Sequence, residues 1–324
     1  MIKNRKDEHI AFAFKQGIRI NRFDDVFLES TDLPKMSIED IDLSTTFLGY
    51  DIPYPFYINA MTGGSLKATE INEFLSKLAN HFNLPMVLGS QSIAIKDASW
   101  ESSFKVARKH HNGLLISNVN PNFTLEQAKK AIQMVDSNGL SIHINLIQEL
   151  SMAEGDRDFR LWNDNIKNIV SNIQVPVYVK QVGQGMSLQT VQKLKKLGVK
   201  AIDVSGKGGT SFIEIESNRS KTDYSYLESF GIETVDALLN LKDETELDIY
   251  ASGGIRNPLD VIKALTLGAK AVGLSKWFLL LTELSMEEAI QRVEQFITDL
   301  KKIMLIVGKQ NIKALKEVKY TVKS

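Results

Sequence analysis

Short apolar runs recur along this chain at intervals of roughly 25 to 45 residues, with helix-period segments between them. Such spacing is typical of strands that alternate with helices, and this alternation produces a parallel sheet. The helical segments include 70–82, 125–136, 188–197 and 259–267. The predicted strands are 56–59, 86–88, 114–117, 141–144, 177–179, 201–204, 248–251 and 271–274.

Polar residues follow every one of these runs, which favours a closed barrel over an open sheet. In a (β/α)8 barrel the carboxyl ends of all strands converge on one mouth, whereas an open sheet concentrates its polar residues at one switch point. We therefore predict a TIM (β/α)8 barrel that occupies 1–324 as a single domain. The polar residues are Thr62, Ser90, Gln91, Asn118, Asn145, Gln148, Lys180, Ser205, Ser252 and Ser275.

Two segments interrupt the repeat. Residues 1–50 precede the first strand, and we interpret them as an N-terminal cap segment. Its charged start, Arg5 to His9, is a solvated tail unless it folds over the barrel mouth. The polar insertion 211–231 is longer than a βα loop requires, so it is either a lid beside the mouth or a disordered surface loop.

Glycine-rich segments follow two consecutive strands late in the chain, at 204–210 and 251–256, and a third glycine lies in the strand before Ser275. Glycine loops of this kind present backbone N–H groups that bind a phosphate without a metal. A barrel holds a phosphorylated cofactor in the same place, after its last strands. The loops therefore predict a phosphate site.

The segment 143–149 leaves a strand with several polar side chains. Because strand side chains alternate, His143 and Asn145 lie on one face. Glu149 next to amide and imidazole groups suits Mg²⁺ on a substrate phosphate, although His143 could be a core histidine and Glu149 a first-turn helix carboxylate. Lys180 after a buried strand requires an anion such as a phosphate or a flavin edge, unless it extends to solvent at the rim.

Composition excludes several classes of protein. The formal net charge is +0 and the pI about 7.0, so the chain lacks the basic surface that nucleic acid or an acidic membrane requires. There is no cysteine, which excludes disulfides, thiolate metal sites and a cysteine nucleophile. The start is too polar for a signal peptide, and we expect a cytoplasmic protein that binds neither nucleic acid nor membrane.

Taken together, these motifs resemble one family closely, the type II isopentenyl diphosphate isomerases, which use FMN. The resemblance extends in order from the N-terminal segment to the last strand. The tail motif combined with the Gln148-Glu149 pair is more specific than any glycine loop. The matching segments are 5–9, 59–64, 89–91, 117–118, 143–149, 203–210 and 252–256.

The resemblance implies a barrel that binds FMN, kept reduced by NADPH, and Mg²⁺ that accompanies the substrate. The implied reaction of isoprenoid biosynthesis interconverts isopentenyl and dimethylallyl diphosphate by allylic proton transfer, with reduced FMN as acid and base. It also implies a homotetramer or homo-octamer. Residues 146–147 depart from the relatives, which often have a small residue or a proline there.

The resemblance also assigns roles to individual residues. Glu149 would reach the metal, and Gln148 and His143 would be catalytic. The substrate would contact Arg5, Lys6, His9, His143, Asn145 and Gln148. The implied FMN site consists of Ala60, Met61, Thr62, Ser90, Asn118, Lys180, Ser205, Thr210, Gly253, Gly254, Arg256 and Ser275.

Two other functions are compatible with parts of the sequence. An FMN-dependent barrel oxidoreductase of the hydroxy-acid oxidase or glutamate-synthase type would use the same phosphate site and Lys180. A hydroxy-acid oxidase would need a histidine and an arginine late in the barrel, and this chain has no histidine after His143. A non-catalytic barrel that binds a phosphorylated ligand would explain the glycine loops, but neither the Gln148-Glu149 pair nor the basic tail.

Overall fold

A closed barrel of eight parallel strands lies at the centre of the protein, in a computed structural model that describes residues 5–323. Strands β4 to β11 form this barrel, which closes where β11 pairs with β4. The predicted TIM (β/α)8 barrel is confirmed, and each predicted run lies on a barrel strand. Within residues 5–323 the strands are β1 (Val26–Leu28), β2 (Thr45–Phe47), β3 (Tyr50–Ile52), β4 (Phe56–Ile58), β5 (Met86–Val87), β6 (Leu115–Val119), β7 (Gly139–Ile144), β8 (Val177–Gln181), β9 (Ala201–Asp203), β10 (Asp248–Ser252), β11 (Ala271–Leu274) and β12 (Tyr320–Val322).

Helices connect the barrel strands and surround them, and short 3₁₀ helices lie at 22–25, 38–40, 98–100, 225–229 and 312–317. Within residues 5–323, every helix is too short or too polar to traverse a lipid bilayer. The α-helices are α1 (Arg5–Lys15), α2 (Leu66–Phe82), α3 (Ser92–Lys96), α4 (Ser102–His110), α5 (Leu125–Val135), α6 (Leu146–Ser151), α7 (Trp162–Asn172), α8 (Leu188–Lys196), α9 (Phe212–Ser220), α10 (Thr234–Asn240), α11 (Pro258–Thr266), α12 (Lys276–Leu281) and α13 (Met286–Ile306).

Short polar residues determine where the surrounding helices begin. The side chains of Ser65, Thr124 and Ser187 each accept a hydrogen bond from a backbone N–H in the first turn of the next helix. Asn257 does the same for α11, and Pro258 occupies the first helical position, where no N–H is needed. The apolar faces of these helices pack on the strands and form the main core between the two layers.

A hairpin closes the amino-terminal end of the barrel. Strands β2 and β3 turn through Leu48 and Gly49, whose φ angles are +53° and +83°. Phe47 packs on Tyr57 and Tyr250 with ring centroids 4.5 and 4.7 Å apart, and the Leu48 N–H donates to the Tyr250 hydroxyl. This part of the predicted cap therefore closes the end of the barrel opposite to the mouth.

The N-terminal helix α1 lies at the mouth and packs against α9 and α12. The insertion 211–231 contains α9 and the 3₁₀ helix 225–229. Ser211 caps α9, since its side chain accepts a hydrogen bond from the Glu214 N–H. The segment is thus helical rather than an irregular loop. Its role as a lid, and the single domain 1–324, stay predictions, and residues 1–4 of the predicted cap lie outside the described residues.

Candidate active site

A cavity of about 350 Å³ opens at the carboxyl ends of the barrel strands. It is bounded by the loops that follow the strands and by residues of α1, α12 and the start of α9. Every residue that the sequence assigned to a site lines this cavity. These residues are Arg5, Lys6, His9, Ala60, Met61, Thr62, Ser90, Asn118, His143, Asn145, Gln148, Glu149, Lys180, Ser205, Thr210, Gly253, Gly254, Arg256 and Ser275.

The two glycine loops present backbone N–H groups without acceptors. Within residues 5–323, nothing accepts a hydrogen bond from the N–H groups of 208–210 in the loop after β9 or of 253–255 in the loop after β10. These residues line the cavity, where N–H groups without a protein acceptor are available to water or to a ligand. Two adjacent sets of free donors fit an anion such as a phosphate.

The close contact between these loops requires glycine. Gly253 and Gly254 have φ angles of +90° and +74°, which L side chains rarely adopt. A Cβ on Gly253 would lie 2.1 Å from the Gly206 carbonyl oxygen, and one on Gly209 would lie 2.7 Å from the Gly254 nitrogen. Side chains at these positions would separate the loops, and the two sets of N–H donors would no longer be adjacent.

Arg256 lies at the cavity, but its guanidinium is bound by two carboxylates. It donates to Asp24 at 2.6 and 2.8 Å and to Asp260 at 2.8 and 3.1 Å. These hydrogen bonds raise the pKa of Arg256 and lower that of Asp24 to about 2. Its predicted contact with the cofactor therefore involves a charge that is already compensated, and the contact stays a prediction.

His143 and Lys180 are buried neighbours in the barrel wall. They lie opposite each other in the register of β7 and β8, and the Lys180 ammonium donates to the Gln181 carbonyl at 2.8 Å. His143 Nδ1 lies 2.9 Å from Asn118 Oδ1. Burial and the charges of Lys180 and Lys6 lower the pKa of His143 to about 3, so its imidazole is neutral at neutral pH.

Asp203 is a buried carboxylate to which the sequence assigned no role. It accepts hydrogen bonds from the Tyr57 hydroxyl at 3.0 Å, from Asn59 Nδ2 at 3.1 Å and from the Ser252 hydroxyl at 2.8 and 2.9 Å. The Ser205 N–H donates to it at 3.0 Å. An aspartate inside the apolar run 201–204 is the signal that could have identified it, because an unpaired carboxylate there would be costly.

A second polar cluster surrounds the start of α6. Asn145 Nδ2 donates to Glu149 Oε1 at 2.9 Å, and the Asp156 N–H donates to Glu149 Oε2 at 2.9 Å. Asn145 Nδ2 also lies 3.3 Å from Gln148 Oε1. Within residues 5–323, no donor reaches Asn145 Oδ1 or the Thr62 hydroxyl oxygen. These buried oxygens at the cavity are suited to a ligand or a metal-bound water.

Helix α1 places three basic residues at the cavity, so its start is not a solvated tail. Arg5 lies 3.6 Å from Glu154, and His9 Nε2 lies 2.8 Å from Glu216 Oε1. Burial and the charge of Arg5 lower the pKa of Lys6 to about 8, while Glu149 acts to raise it. Burial also lowers the pKa of His9, and Glu216 opposes that change.

Helix α9 fixes α1 in this position through a network of charges. Arg219 on α9 donates to Glu8 at 3.1 Å and to Glu154 at 2.9 Å, and it also pairs with Glu216. Within residues 5–323, no group of three or more His, Asp or Glu side chains is placed to hold a metal ion.

Comparison with known proteins identifies the family. A family model described as FMN-dependent dehydrogenase matches residues 107–321. Proteins named isopentenyl-diphosphate delta-isomerase include one from Listeria innocua, 41% identical over 97% of this chain and 90% of its own length. Another, from Latilactobacillus sakei, is 45% identical over 96% of this chain and 91% of its own length. This chain belongs to the FMN-dependent dehydrogenase family and to the isopentenyl-diphosphate delta-isomerase family. The family resemblance predicted from the motifs is confirmed, and the family model supports FMN as the cofactor.

Solved structures agree with the fold of this isomerase-family chain. A mandelate oxidase variant with an FMN adduct covers 98% of the chain with a TM-score of 0.66 at 14% identity. A flavocytochrome b2 variant covers 97% with a TM-score of 0.67 at 20% identity. At such low identities the likeness concerns the fold alone.

Proposed function

We propose that this protein interconverts isopentenyl diphosphate and dimethylallyl diphosphate in isoprenoid biosynthesis, with FMN, Mg²⁺ and NADPH as the reductant of FMN. The proposal is supported by the relatives' names and by a barrel mouth in which free N–H donors, a buried lysine and a basic helix surround one cavity. We also propose a cytoplasmic homo-oligomer, a homotetramer or homo-octamer.

The residues at the base of the cavity fit FMN. The free N–H groups of 208–210 and 253–255 are suited to its phosphate, with Ser205, Thr210 and Ser275 nearby. Lys180 would face the flavin ring as a positive charge. The unpaired Thr62 hydroxyl oxygen would accept a hydrogen bond from the ring, either directly or through a water molecule. The remaining proposed ring contacts are Ala60, Met61, Ser90 and Asn118. Reduced FMN, when bound, supplies the acid and base that move the proton.

The outer residues fit the diphosphate and its metal. Arg5, Lys6 and His9 approach from α1, and a diphosphate would compensate the positive charges of Arg5 and Lys6. Mg²⁺ in proteins commonly uses one or two carboxylates together with substrate phosphates and water. Glu149 would supply the carboxylate, and the unpaired oxygen of Asn145 would accept from the water shell. Binding energy at the diphosphate would position the reacting carbons.

The reaction adds a proton to the terminal methylene carbon of isopentenyl diphosphate and removes one from the carbon next to the oxygen-bearing methylene. Electrons and atoms balance without any net redox change. Gln148 would lie beside the alkene and orient it. His143 would remain neutral and hold its place through Asn118, so that it orients the substrate without adding charge. A closed mouth would keep water from a cationic intermediate.

The test is proton NMR of isopentenyl diphosphate incubated without oxygen with the protein, FMN, NADPH and Mg²⁺, and with each component omitted in turn. We expect the dimethylallyl signals to appear only in the complete mixture. A protein that binds FMN and leaves isopentenyl diphosphate unchanged would contradict the proposal. Oxidation of a 2-hydroxy acid by the same protein would favour the oxidoreductase alternative instead.

A further inference from the structure

Asn21, in the segment that follows α1, binds both glycine loops from the side away from the cavity. Its Nδ2 donates to the Gly254 carbonyl at 2.9 Å and lies 3.2 Å from the Gly208 carbonyl oxygen. Its Oδ1 accepts from the Phe23 N–H at 3.0 Å and so caps the 3₁₀ helix 22–25. The residue is 7% exposed and makes all these contacts inside the protein.

Asn21 packs closely against the backbone of both loops. A Cβ built on Gly208 would lie 2.7 Å from the Cβ of Asn21, and one on Gly254 would lie 2.9 Å from its Nδ2. Gly208 has a φ of +104° and Gly254 one of +74°. The two loops thus rest directly on this one side chain in conformations that glycine adopts readily.

These hydrogen bonds determine which way the free N–H groups point. In a trans peptide the carbonyl of one residue and the N–H of the next point in opposite directions. Because the carbonyls of Gly208 and Gly254 face Asn21, the N–H groups of Gly209 and Ile255 point away from it. Both of these residues line the cavity, and neither N–H has an acceptor within residues 5–323.

We propose that Asn21 is a positioning residue for the phosphate of the cofactor, because its amide orients one peptide in each glycine loop so that the N–H groups face the phosphate. This rests on the proposed function, which places FMN in the cavity. Asn21 itself does not line the cavity, so it acts through the loops. The carbonyls that it binds are 187 and 233 residues away in the chain.

The variant Asn21→Asp tests this role. Aspartate keeps the size of asparagine and the oxygen that caps Phe23, but it replaces the donor by an acceptor facing two carbonyls. We expect FMN binding to weaken about tenfold or more, since each lost buried hydrogen bond is worth up to about one power of ten in an equilibrium constant. Riboflavin lacks the phosphate, so its affinity should stay unchanged.

The measurement is the quenching of flavin fluorescence when full-length protein freed of flavin is titrated with FMN and, separately, with riboflavin. Asn311→Asp is the matched control, because Asn311 caps the 3₁₀ helix 312–317 in the same way, at the Ala314 N–H, without touching a glycine loop. It should bind both flavins like the wild type. If Asn21→Asp loses its cooperative thermal unfolding, Asn21→Ser decides, since serine can cap but cannot reach both carbonyls.

Three results would overturn the inference. They are unchanged FMN affinity in the Asn21 variant, an equal loss for FMN and riboflavin, and a wild type that does not prefer FMN to riboflavin. The last result would also remove FMN from the proposed site. A wild type that prefers FMN but does not isomerise isopentenyl diphosphate would contradict the proposed function alone and leave the role of Asn21 intact.

Discussion

Lys180 and Asp203 lie opposite each other in the register of two neighbouring barrel strands, and both side chains are buried. Burial lowers the pKa of Lys180, and the carboxylate opposes that change. Asp203 in turn binds Tyr57, Asn59 and Ser252, which extend from other strands of the barrel. The buried charge of Lys180, which we propose faces the flavin, therefore lies beside a hydrogen-bond network that spans the barrel.

Removal of this carboxylate should destabilise the fold. Asp203→Asn leaves Lys180 without its counter-charge and turns an acceptor of several hydrogen bonds partly into a donor. We expect the free energy of unfolding to fall by about 3 kcal/mol or more. Urea denaturation followed by circular dichroism measures this. The exposed Asp164→Asn on α7 should change it by less than about 0.5 kcal/mol, and a similar small loss at Asp203 would refute the network.

Lys6 should make substrate capture depend on pH. Its pKa of about 8 means that the ammonium is charged below pH 8 and loses its proton as the pH rises through that value. We therefore expect kcat/KM to fall between pH 7 and 9 in the wild type. In Lys6→Arg this fall should disappear, because arginine stays protonated. An identical pH profile in both proteins would exclude Lys6 as the titrating group.

The variant Lys6→Ala separates an effect on substrate binding from an effect on flavin content. Lys6→Ala should raise KM about tenfold while the flavin absorbance of the purified protein is unchanged. Lys15→Ala, at the other end of α1, is the control and should leave KM as it is. An unaltered KM in Lys6→Ala would show that Lys6 does not hold the diphosphate.

Glu149 should determine the response to magnesium. Glu149→Gln keeps the acceptor for the Asp156 N–H but removes the charge that would bind Mg²⁺. We expect isomerisation to need at least about tenfold more Mg²⁺, in a protein that still purifies yellow. Glu126→Gln, at an exposed first turn of α5, serves as the control. Mg²⁺ titrations that coincide for wild type and Glu149→Gln would remove Glu149 from the metal site.

Gln148 should affect turnover more than binding. If it orients the alkene, Gln148→Ala should lower kcat by about a hundredfold and change KM little, because the diphosphate contacts remain. Steady-state kinetics with isopentenyl diphosphate gives both constants. Gln133→Ala on the exposed face of α5 should match the wild type. A kcat equal to that of the wild type would make Gln148 a bystander.

The barrel could be predicted from the sequence because its strands are buried on both faces. Such strands form short apolar runs, and the first polar residue after each run marks the mouth. Boundaries were less accurate: α2 begins at Leu66, four residues before the predicted 70, because Ser65 caps it. Strand β8 extends to Gln181, beyond the predicted end at 179, since pairing with β7 continues past the apolar residues.

The contacts that assemble the site could not be predicted in this way. Asn21 reaches two loops near the end of the barrel, and Gln16 exchanges hydrogen bonds with the backbone of Ser211. Neither residue stands out locally, because the partner is a backbone group that any residue could provide. The same reason explains why the sequence left open whether α1 covers the mouth: its salt bridges join segments about two hundred residues apart.

The most direct test compares the dimethylallyl diphosphate formed with the NADPH oxidised, without oxygen, by protein loaded with FMN and Mg²⁺. Allylic proton transfer needs the flavin reduced only once, so we predict many molecules of product for each NADPH consumed. Product that never exceeds the NADPH oxidised, or NADPH oxidation with no product at all, would contradict an isomerase that moves protons without net redox change.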